Sequence, residues 1–207
     1  MNHYVKAVVF DNYMVKHYRH FIVLCKPKVV MLLLVTALVG MQLASTGDIK
    51  FDIMIIATIG IGLAASSAAV INHVVDVKID AQMKRTERRP LVSGAIKKSH
   101  ALMFSFVLAI LAMCLLIVYV NVLTAMLSLA GLIGYAFIYT LFLKHSTPQN
   151  IVFGGISGAL PPLLGWTSMT NSVDFEAILL MLIIFIWTPA HFWPLAIDRV
   201  EDYKKAK

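Results

Sequence analysis

The stretch from Phe51 to Val75 reads FDIMIIATIGIGLAASSAAVINHVV. Crossing the hydrocarbon core of a bilayer takes about 20 apolar residues in a helix, so this stretch predicts a membrane span. Five more stretches of similar character are separated by short polar connections. They are Phe21 to Ala44, Ala101 to Tyr119, Val122 to Leu143, Ile151 to Thr167, and Phe175 to Ile197. The sequence therefore predicts an all-α, polytopic transmembrane helical bundle with six spans.

The composition agrees with a membrane protein. Hydrophobic residues make up 59% of the 207 residues, and charged residues make up only 14%. A soluble domain is typically about half apolar and cannot bury this much apolar surface. No internal repeat or low-complexity tract interrupts the pattern, so residues 1–207 are interpreted as a single domain that contacts the lipid bilayer.

The distribution of positive charge indicates an orientation in the membrane. The net charge is +7. With six spans and the N-terminus inside, 17 of the 18 Lys and Arg residues lie on the inner side, and only Lys50 lies outside. Cytoplasmic loops of membrane proteins carry such an excess, so both termini are expected in the cytoplasm and nucleic acid is not an expected partner.

The first 20 residues lack the apolar core of a cleavable signal, so we expect the N-terminus to be retained, as a helix on the membrane surface or a disordered leader.

One inner connection is unusually long and charged. The segment 76–100 has about 25 residues and holds most of the net charge, +4 of the total +7. Long connections in compact folds are usually functional. We therefore predict that 76–100 is the cytoplasmic catalytic loop.

Three polar residues begin this region with a spacing of four. Asn72, Asp76 and Asp80 fall within about 40° of each other on a helix and about 6 Å apart along its axis. Two carboxylates and an amide oxygen form an oxygen-only set that suits Mg²⁺, which is usually held by one or two carboxylates plus phosphate oxygens. The alternative is that the two aspartates only pair with Lys78 and Lys84 at the membrane edge. Spacing alone leaves both interpretations open.

A cluster of cations follows the acidic residues. Lys84, Arg85, Arg88 and Arg89 lie within six residues of each other, directly before Pro90. Arginine binds phosphate oxygens with two parallel hydrogen bonds, so a cluster beside a metal site is suited to a diphosphate group. A plain positive-inside loop would explain the charge but not its position beside the acidic residues. Arg85 and Arg89 are therefore predicted to bind substrate.

A second acidic pair closes the sixth predicted span. Asp198 and Asp202 are again four residues apart at the inner end. His191 lies about two turns inside that pair, among Trp and Phe side chains. An imidazole there is a candidate metal ligand or proton relay. A buried histidine hydrogen-bonded to a neighbouring helix is the alternative.

The fifth span carries glycines and a pair of prolines. Its sequence from Gly154 to Trp166 is GGISGALPPLLGW. Glycines at one-turn intervals allow helices to approach closely, and this packing role is the interpretation of Gly154, Gly155, Gly158 and Gly165. Pro161 and Pro162 are predicted to interrupt the helix and to open room for a flat ligand.

These motifs together resemble the UbiA superfamily of membrane prenyltransferases, in the branch of the heme O synthases (protoheme IX farnesyltransferases). The first motif is the acidic stripe with MKRTERRPL from Met83 to Leu91. The central signature includes Lys144 and the stretch from Thr147 to Trp166. The last is WTPAHFW from Trp187, followed by Asp202 and Tyr203. The resemblance covers nearly all of the chain from Lys26 to Lys205.

The resemblance implies roles for individual residues. In that superfamily two acidic motifs hold a diphosphate between them through metal ions. It implies that Asp76, Asp80 and Asp202 are catalytic residues and Mg²⁺ ligands. Substrate-binding roles are implied for the following residues: Asn72, Arg85, Arg89, Lys144 and His191.

The implied reaction is transfer of a farnesyl group from farnesyl diphosphate to a vinyl group of heme b, giving heme O for terminal oxidases. The resemblance also implies the bacterial inner membrane as the location and association with heme A synthase or terminal oxidase assembly. An enzyme acting on an aromatic quinone precursor is one alternative, and a non-catalytic pseudoenzyme is the other. Heme O synthases have about nine spans, so a chain with six is expected to lack the C-terminal part of that fold.

Overall fold

The computed structural model describes residues 18–45, 47, 50–84, 86–136 and 150–198. The leader 1–17, for which a surface helix or disorder was expected, lies outside these ranges. Six helices have both ends within these ranges. They are α1 (Pro27–Ala44), α2 (Phe51–Asp80), α3 (Lys98–Tyr119), α4 (Val122–Ile133), α5 (Asn150–Thr170) and α6 (Phe175–Asp198). The described residues contain no β-strand, so the predicted all-α class is confirmed.

Four of the described helices are long and apolar enough to cross a membrane. They cover Pro27–Ala44, Phe51–Asp80, Lys98–Tyr119 and Phe175–Pro194, and a shorter apolar helix covers Val122–Ala136. Large apolar side chains point outward from the bundle, among them Met31, Phe106 and Ile186, which are 67%, 67% and 70% exposed. Apolar surface of this extent is suited to lipid rather than water. The chain is an integral membrane protein.

The bundle has two distinct ends. At one end, called the acidic end below, α1 begins, α2 finishes at Asp80 and α3 begins at Lys98. At the other, called the turn end, α1 joins α2, α3 joins α4 and α5 joins α6. α2 is 30 residues long, so it rises about 45 Å and extends beyond the predicted span end at Val75. The first residues of segment 76–100 therefore continue the helix, as the spacing of the acidic residues predicts, and the three residues lie on one element.

Glycines bring α1 and α5 into backbone contact. A Cβ atom at Gly165 would overlap the carbonyl group of Ala37, and one at Gly40 would overlap that of Pro162. Gly158 has no neighbour within 4 Å of such a Cβ atom, so close packing does not explain this glycine. The packing role predicted for the glycines of α5 therefore holds for Gly165 and not for Gly158.

The predicted interruption of α5 by its two prolines is wrong. α5 runs continuously from Asn150 to Thr170, with Pro161 and Pro162 inside it and buried. Proline removes a backbone donor, but neighbouring helices can support the helix around it in a membrane protein. Pro162 packs closely against Gly40 of α1.

Polar contacts fix the turn end. Asn121 accepts a hydrogen bond from the backbone N of Thr124 at 2.8 Å, which caps α4, and donates to the carbonyl of Thr167 at 2.8 Å. The hydroxyl groups of Thr124 and Thr167 lie 2.9 Å apart in the buried interior. These contacts place the beginning of α4 beside the end of α5. α6 therefore runs back toward the acidic end.

A separate apolar cluster supports the acidic end. It joins the helical segment 18–24, the last turns of α2, the connection to α3, and α3 itself. Its buried members are Leu24, Val70, Leu91, Ile96, Ala101 and Leu108. The acidic stripe therefore lies on an element that is packed on several sides.

Candidate active site

The acidic stripe of α2 is buried. Asn72, Asp76 and Asp80 are only 4%, 4% and 5% exposed, although each carries a polar or charged side chain. Solvated charges at a membrane edge would be exposed, and buried charges are costly unless they are paired or coordinate a metal. This burial favours a functional site over the interpretation of a solvated helix exit.

Asn72 links the stripe to the beginning of α1. Its side-chain NH₂ group donates to Asp76 Oδ2 at 3.0 Å. Its side-chain oxygen accepts a hydrogen bond from Lys26 Nζ at 2.6 Å. The Asn72 oxygen, which was expected to join the metal ligands, is therefore engaged by Lys26. Asn72 acts here as a donor that orients Asp76.

Asp80 forms an ion pair with the connection that follows α2. Arg89 Nη1 lies 2.5 Å from Asp80 Oδ2, and the two side chains are 27% and 7% exposed. Thr86, itself buried, donates its hydroxyl to the carbonyl of Asp80 at 2.8 Å, and its own carbonyl accepts from the backbone N of Arg89 at 3.0 Å. The connection thus folds back over the end of α2 and brings a guanidinium group to the stripe.

The ion pair of Asp80 bears on the alternative interpretation, in which the aspartates only pair with lysines at the membrane edge. The alternative had Asp76 and Asp80 pairing with Lys78 and Lys84, whereas the ion pair observed among the described residues joins Asp80 to Arg89. Sequence reasoning did not identify the contribution of Lys26. Lys26 is a charged residue inside the predicted span Phe21 to Ala44, directly before Pro27, and this position was the available signal.

His73 is another buried polar residue of α2. Its side chain is 4% exposed, and neither ring nitrogen has a hydrogen-bond partner within the described part of the chain. Buried polar groups are normally hydrogen-bonded, so a buried imidazole without a partner is unusual. It lies next to Asn72 in sequence, off the acidic face.

His191 lies on an exposed face of α6. Its ring stacks on Trp187 with centroids 4.4 Å apart and planes 14° apart, and it meets the edge of Phe192 at 5.6 Å. Trp187 and Phe192 are themselves 58% and 48% exposed. The expected aromatic surroundings are present, but His191 is not the buried, helix-bonded histidine of the alternative interpretation.

Several predicted site residues lie outside the described part of the chain. These are Arg85, Lys144 and Asp202, together with the side chain of Asp198. The direction of α6 carries its last residues toward the acidic end. The roles of these four residues remain predictions.

The donor chemistry of the stripe fits Mg²⁺. Among the residues described, no group of three or more His, Cys, Asp or Glu side chains is placed to hold a metal. Mg²⁺ needs only one or two carboxylates when phosphate oxygens supply further ligands, and Asp76 and Asp80 meet that need. Two cations lie beside these carboxylates. Lys26 bonds to Asn72, which donates to Asp76, and Arg89 pairs with Asp80. The site thus combines carboxylates with cations, as a metal diphosphate group requires.

Known proteins resemble the chain over most of its length. It is 58% identical over 191 residues to Protoheme IX farnesyltransferase 2 of Pseudoalteromonas atlantica, which covers 92% of this chain and 63% of the relative. It is also 58% identical over 189 residues to Protoheme IX farnesyltransferase of Hahella chejuensis, covering 91% of this chain and 63% of the relative. The chain thus spans a little under two thirds of the length of these curated relatives.

Solved structures share the fold. A structure of digeranylgeranylglyceryl phosphate synthase has a TM-score of 0.78 at 19% identity, covering 92% of this chain and 67% of that one. A UbiA homolog from Archaeoglobus fulgidus bound to DMAPP and Mg²⁺ has a TM-score of 0.70 at 18% identity, covering 90% and 66%. The UbiA prenyltransferase family matches residues 33–207. With the buried acidic stripe and the membrane helices, this match shows that the chain belongs to the UbiA prenyltransferase family.

Proposed function

We propose that the protein containing this chain transfers a farnesyl group from farnesyl diphosphate to a vinyl group of heme b and so forms heme O. The observation that carries the proposal is the buried stripe of Asn72, Asp76 and Asp80 with its ion pair to Arg89. The 58% identity to protoheme IX farnesyltransferases supports the choice of substrates.

Asp76 and Asp80 would hold Mg²⁺, and the Archaeoglobus fulgidus homolog of the same fold was solved with DMAPP and Mg²⁺ bound. When bound, the cation supplies positive charge that stabilises the departing diphosphate. Arg89 already lies at the stripe and would exchange part of its contact with Asp80 for phosphate oxygens. Its fork geometry matches such oxygens. Arg85 and Lys144 are proposed to add positive charge to the same group, and Asp202 to complete the second acidic motif.

The bond changes of this reaction balance with water as a reactant. The bond between C1 of the farnesyl group and the diphosphate oxygen breaks, and the diphosphate leaves with the electron pair. The terminal vinyl carbon of heme b forms the new bond to C1. Water then adds to the resulting cationic carbon of the side chain and releases a proton. The apolar walls of the helices would exclude other water from the allylic carbon.

His191 is proposed to contact heme b. Its ring stacks against Trp187 on a surface rich in aromatic side chains, and a flat porphyrin packs well on such a surface. Its place on α6 separates it in sequence from the diphosphate residues of α2. We therefore assign heme b to the aromatic face of α6 and the diphosphate to the acidic stripe of α2.

The cellular setting follows from the same proposal. The charge distribution favours a cytoplasmic N-terminus, and the organisms of the relatives favour the bacterial inner membrane. Heme O is a precursor for terminal oxidases, so association with heme A synthase or oxidase assembly is proposed as a consequence.

Membranes containing the protein should convert farnesyl diphosphate and heme b to heme O in a reaction that requires Mg²⁺. Separation of extracted hemes by chromatography measures the product directly. A parallel assay with 4-hydroxybenzoate as acceptor tests for an enzyme of quinone synthesis. Prenylation of that ring without heme O would contradict the proposal, and so would the absence of product from both acceptors.

A further inference from the structure

Lys26 has an unusual backbone conformation at the point where α1 begins. Its φ and ψ angles are 50° and 58°, in the left-handed region that residues with a side chain rarely adopt. Its backbone N donates to the carbonyl of Val23 at 3.2 Å, and its carbonyl accepts from the backbone N of Val29 at 2.9 Å. Lys26 is thus the joint between the helical segment 18–24 and α1.

This joint is held on both sides. Leu24 is fully buried in the apolar cluster of the acidic end, two residues before Lys26. Pro27 begins α1 directly after it. The conformation directs the Lys26 side chain to the stripe on α2, where its Nζ reaches Asn72 Oδ1 at 2.6 Å. Strained residues that are held in place by their surroundings are concentrated at functional sites.

The ammonium group dictates which way the Asn72 amide faces. A lysine has donors and no acceptor, so it can bond only to the oxygen of that amide. The NH₂ group must then point the other way, where it donates to Asp76 Oδ2 at 3.0 Å. Without Lys26 the amide oxygen would lose its donor, and the amide that orients Asp76 would be less restrained.

We propose that Lys26 is a positioning residue of this site, which fixes the Asn72 amide so that Asp76 is oriented to bind a divalent cation with a diphosphate group. This inference rests on the proposed function, because it takes Asp76 to be a cation ligand. Lys26 acts through Asn72, and its left-handed backbone is what places the ammonium group there.

The test is substitution by glycine, which adopts the left-handed conformation without strain. Lys26→Gly removes the ammonium group but keeps the joint, so the melting temperature should be unchanged or higher. Binding of Mn²⁺ with inorganic diphosphate, followed by the electron paramagnetic resonance signal of free Mn²⁺, should weaken about 10- to 100-fold, as for other groups that orient metal ligands. A merely structural lysine would instead change stability and leave binding intact.

Three further variants separate this role from others. Lys28→Met removes an exposed lysine two residues away and should bind Mn²⁺ as the wild type does. Lys26→Arg keeps a donor and should restore most of the binding. Adding Lys26→Gly to Asn72→Ala should cause no further loss, since Lys26 acts through Asn72. An additional loss in that double variant would overturn the proposal by indicating direct contact with diphosphate.

The outcomes also separate this inference from the proposed function. Wild-type protein that does not bind Mn²⁺ with diphosphate would contradict the proposed function itself. Wild-type protein that binds, with equal binding by Lys26→Gly, would contradict only the role of Lys26.

Discussion

The guanidinium group of Arg89 lies 2.5 Å from the carboxylate of Asp80, across nine residues of chain that fold back over the end of α2. The same carboxylate is a proposed cation ligand, so Arg89 and the cation would share it. Without substrate, the ion pair offsets part of the cost of burying Asp80. With substrate, the guanidinium is already in place to meet phosphate oxygens.

Arg89→Lys should therefore weaken the binding of farnesyl diphosphate more than the binding of heme b. Lysine keeps the charge but loses the fork that makes two parallel hydrogen bonds. We expect the KM for farnesyl diphosphate to rise about tenfold, equivalent to about 1.4 kcal/mol, with little change in the KM for heme b. Steady-state kinetics with each substrate varied in turn measures this. Arg88→Lys, at an exposed position next in sequence, is the control, and equal rises for both substrates would limit Arg89 to a role in topology.

Asp76→Asn should abolish farnesyl transfer while the protein stays folded in the membrane. The substituted amide retains an oxygen that can accept from Asn72, so the local hydrogen bond is kept while the negative charge is lost. Chromatography of hemes and the amount of protein in membranes measure the two effects. Asp52→Asn, at the opposite end of α2 and exposed, should leave activity unchanged. Full activity of Asp76→Asn at limiting Mg²⁺ would refute the role of Asp76 as a cation ligand.

His191→Ala should impair the use of heme b and spare the binding of diphosphate. The imidazole lies among exposed aromatic rings of α6, and removing it leaves Trp187 without its stacking partner. A raised KM for heme b with unchanged Mn²⁺ and diphosphate binding is expected. His100→Ala, also exposed but at the beginning of α3, should have no such effect. Unchanged heme kinetics in His191→Ala would show that the ring only packs against its neighbours.

The fold class and the acidic stripe could be predicted because both depend on local periodicity. Apolar runs identify spanning helices, and a spacing of four places Asn72, Asp76 and Asp80 on one face whatever the tertiary structure. Helix α2 extends through all three residues, as the stripe requires. The expected function rests on the same residues, and their burial supports it.

Contacts between distant parts of the chain could not be predicted in the same way. The bond from Lys26 to Asn72 joins residues 46 positions apart and depends on a left-handed backbone that lysine rarely adopts. The close contact between Pro162 of α5 and Gly40 of α1 also joins residues that are far apart in sequence, and the prolines alone did not predict that α5 continues through them. Single-sequence patterns carry little information about such pairings.

The contact of α1 with α5 gives a prediction about stability. Gly165→Ala should destabilise the bundle, because the added Cβ would meet the backbone carbonyl of Ala37, which cannot move as a side chain can. Overpacking of this kind costs about 1 to 3 kcal/mol. Thermal unfolding in detergent measures the effect. Gly158→Ala on the same helix is the matched control, because its Cβ would have no neighbour within 4 Å. Equal melting temperatures for both variants would contradict close packing at Gly165.

The turn between α5 and α6 should carry a dependence on pH. Asp174 Oδ2 accepts hydrogen bonds from Trp166 Nε1 at 2.7 Å and from the Ser172 hydroxyl at 2.8 Å. Both bonds favour the ionised carboxylate and so lower the pKa of Asp174 below its ordinary value of 3.8. The bond from the Trp166 indole has the larger effect, and the bond from the Ser172 hydroxyl has the smaller one. A lowered pKa in the folded state means that the stabilisation is fully present above pH 3.8 and is lost as the pH falls through the folded value.

Asp174→Ala should therefore have a lower melting temperature than the wild type at neutral pH, and the difference should shrink only below the ordinary pKa of an aspartate. Comparing the melting temperatures of the two proteins at each pH removes the contributions of the other titrating groups, which both proteins share. Glu176→Gln removes an exposed carboxylate in the first turn of α6 and serves as the control for a general effect of charge. A difference between wild type and Asp174→Ala that stays constant down to pH values below the folded pKa would show that the ionised carboxylate does not stabilise the turn.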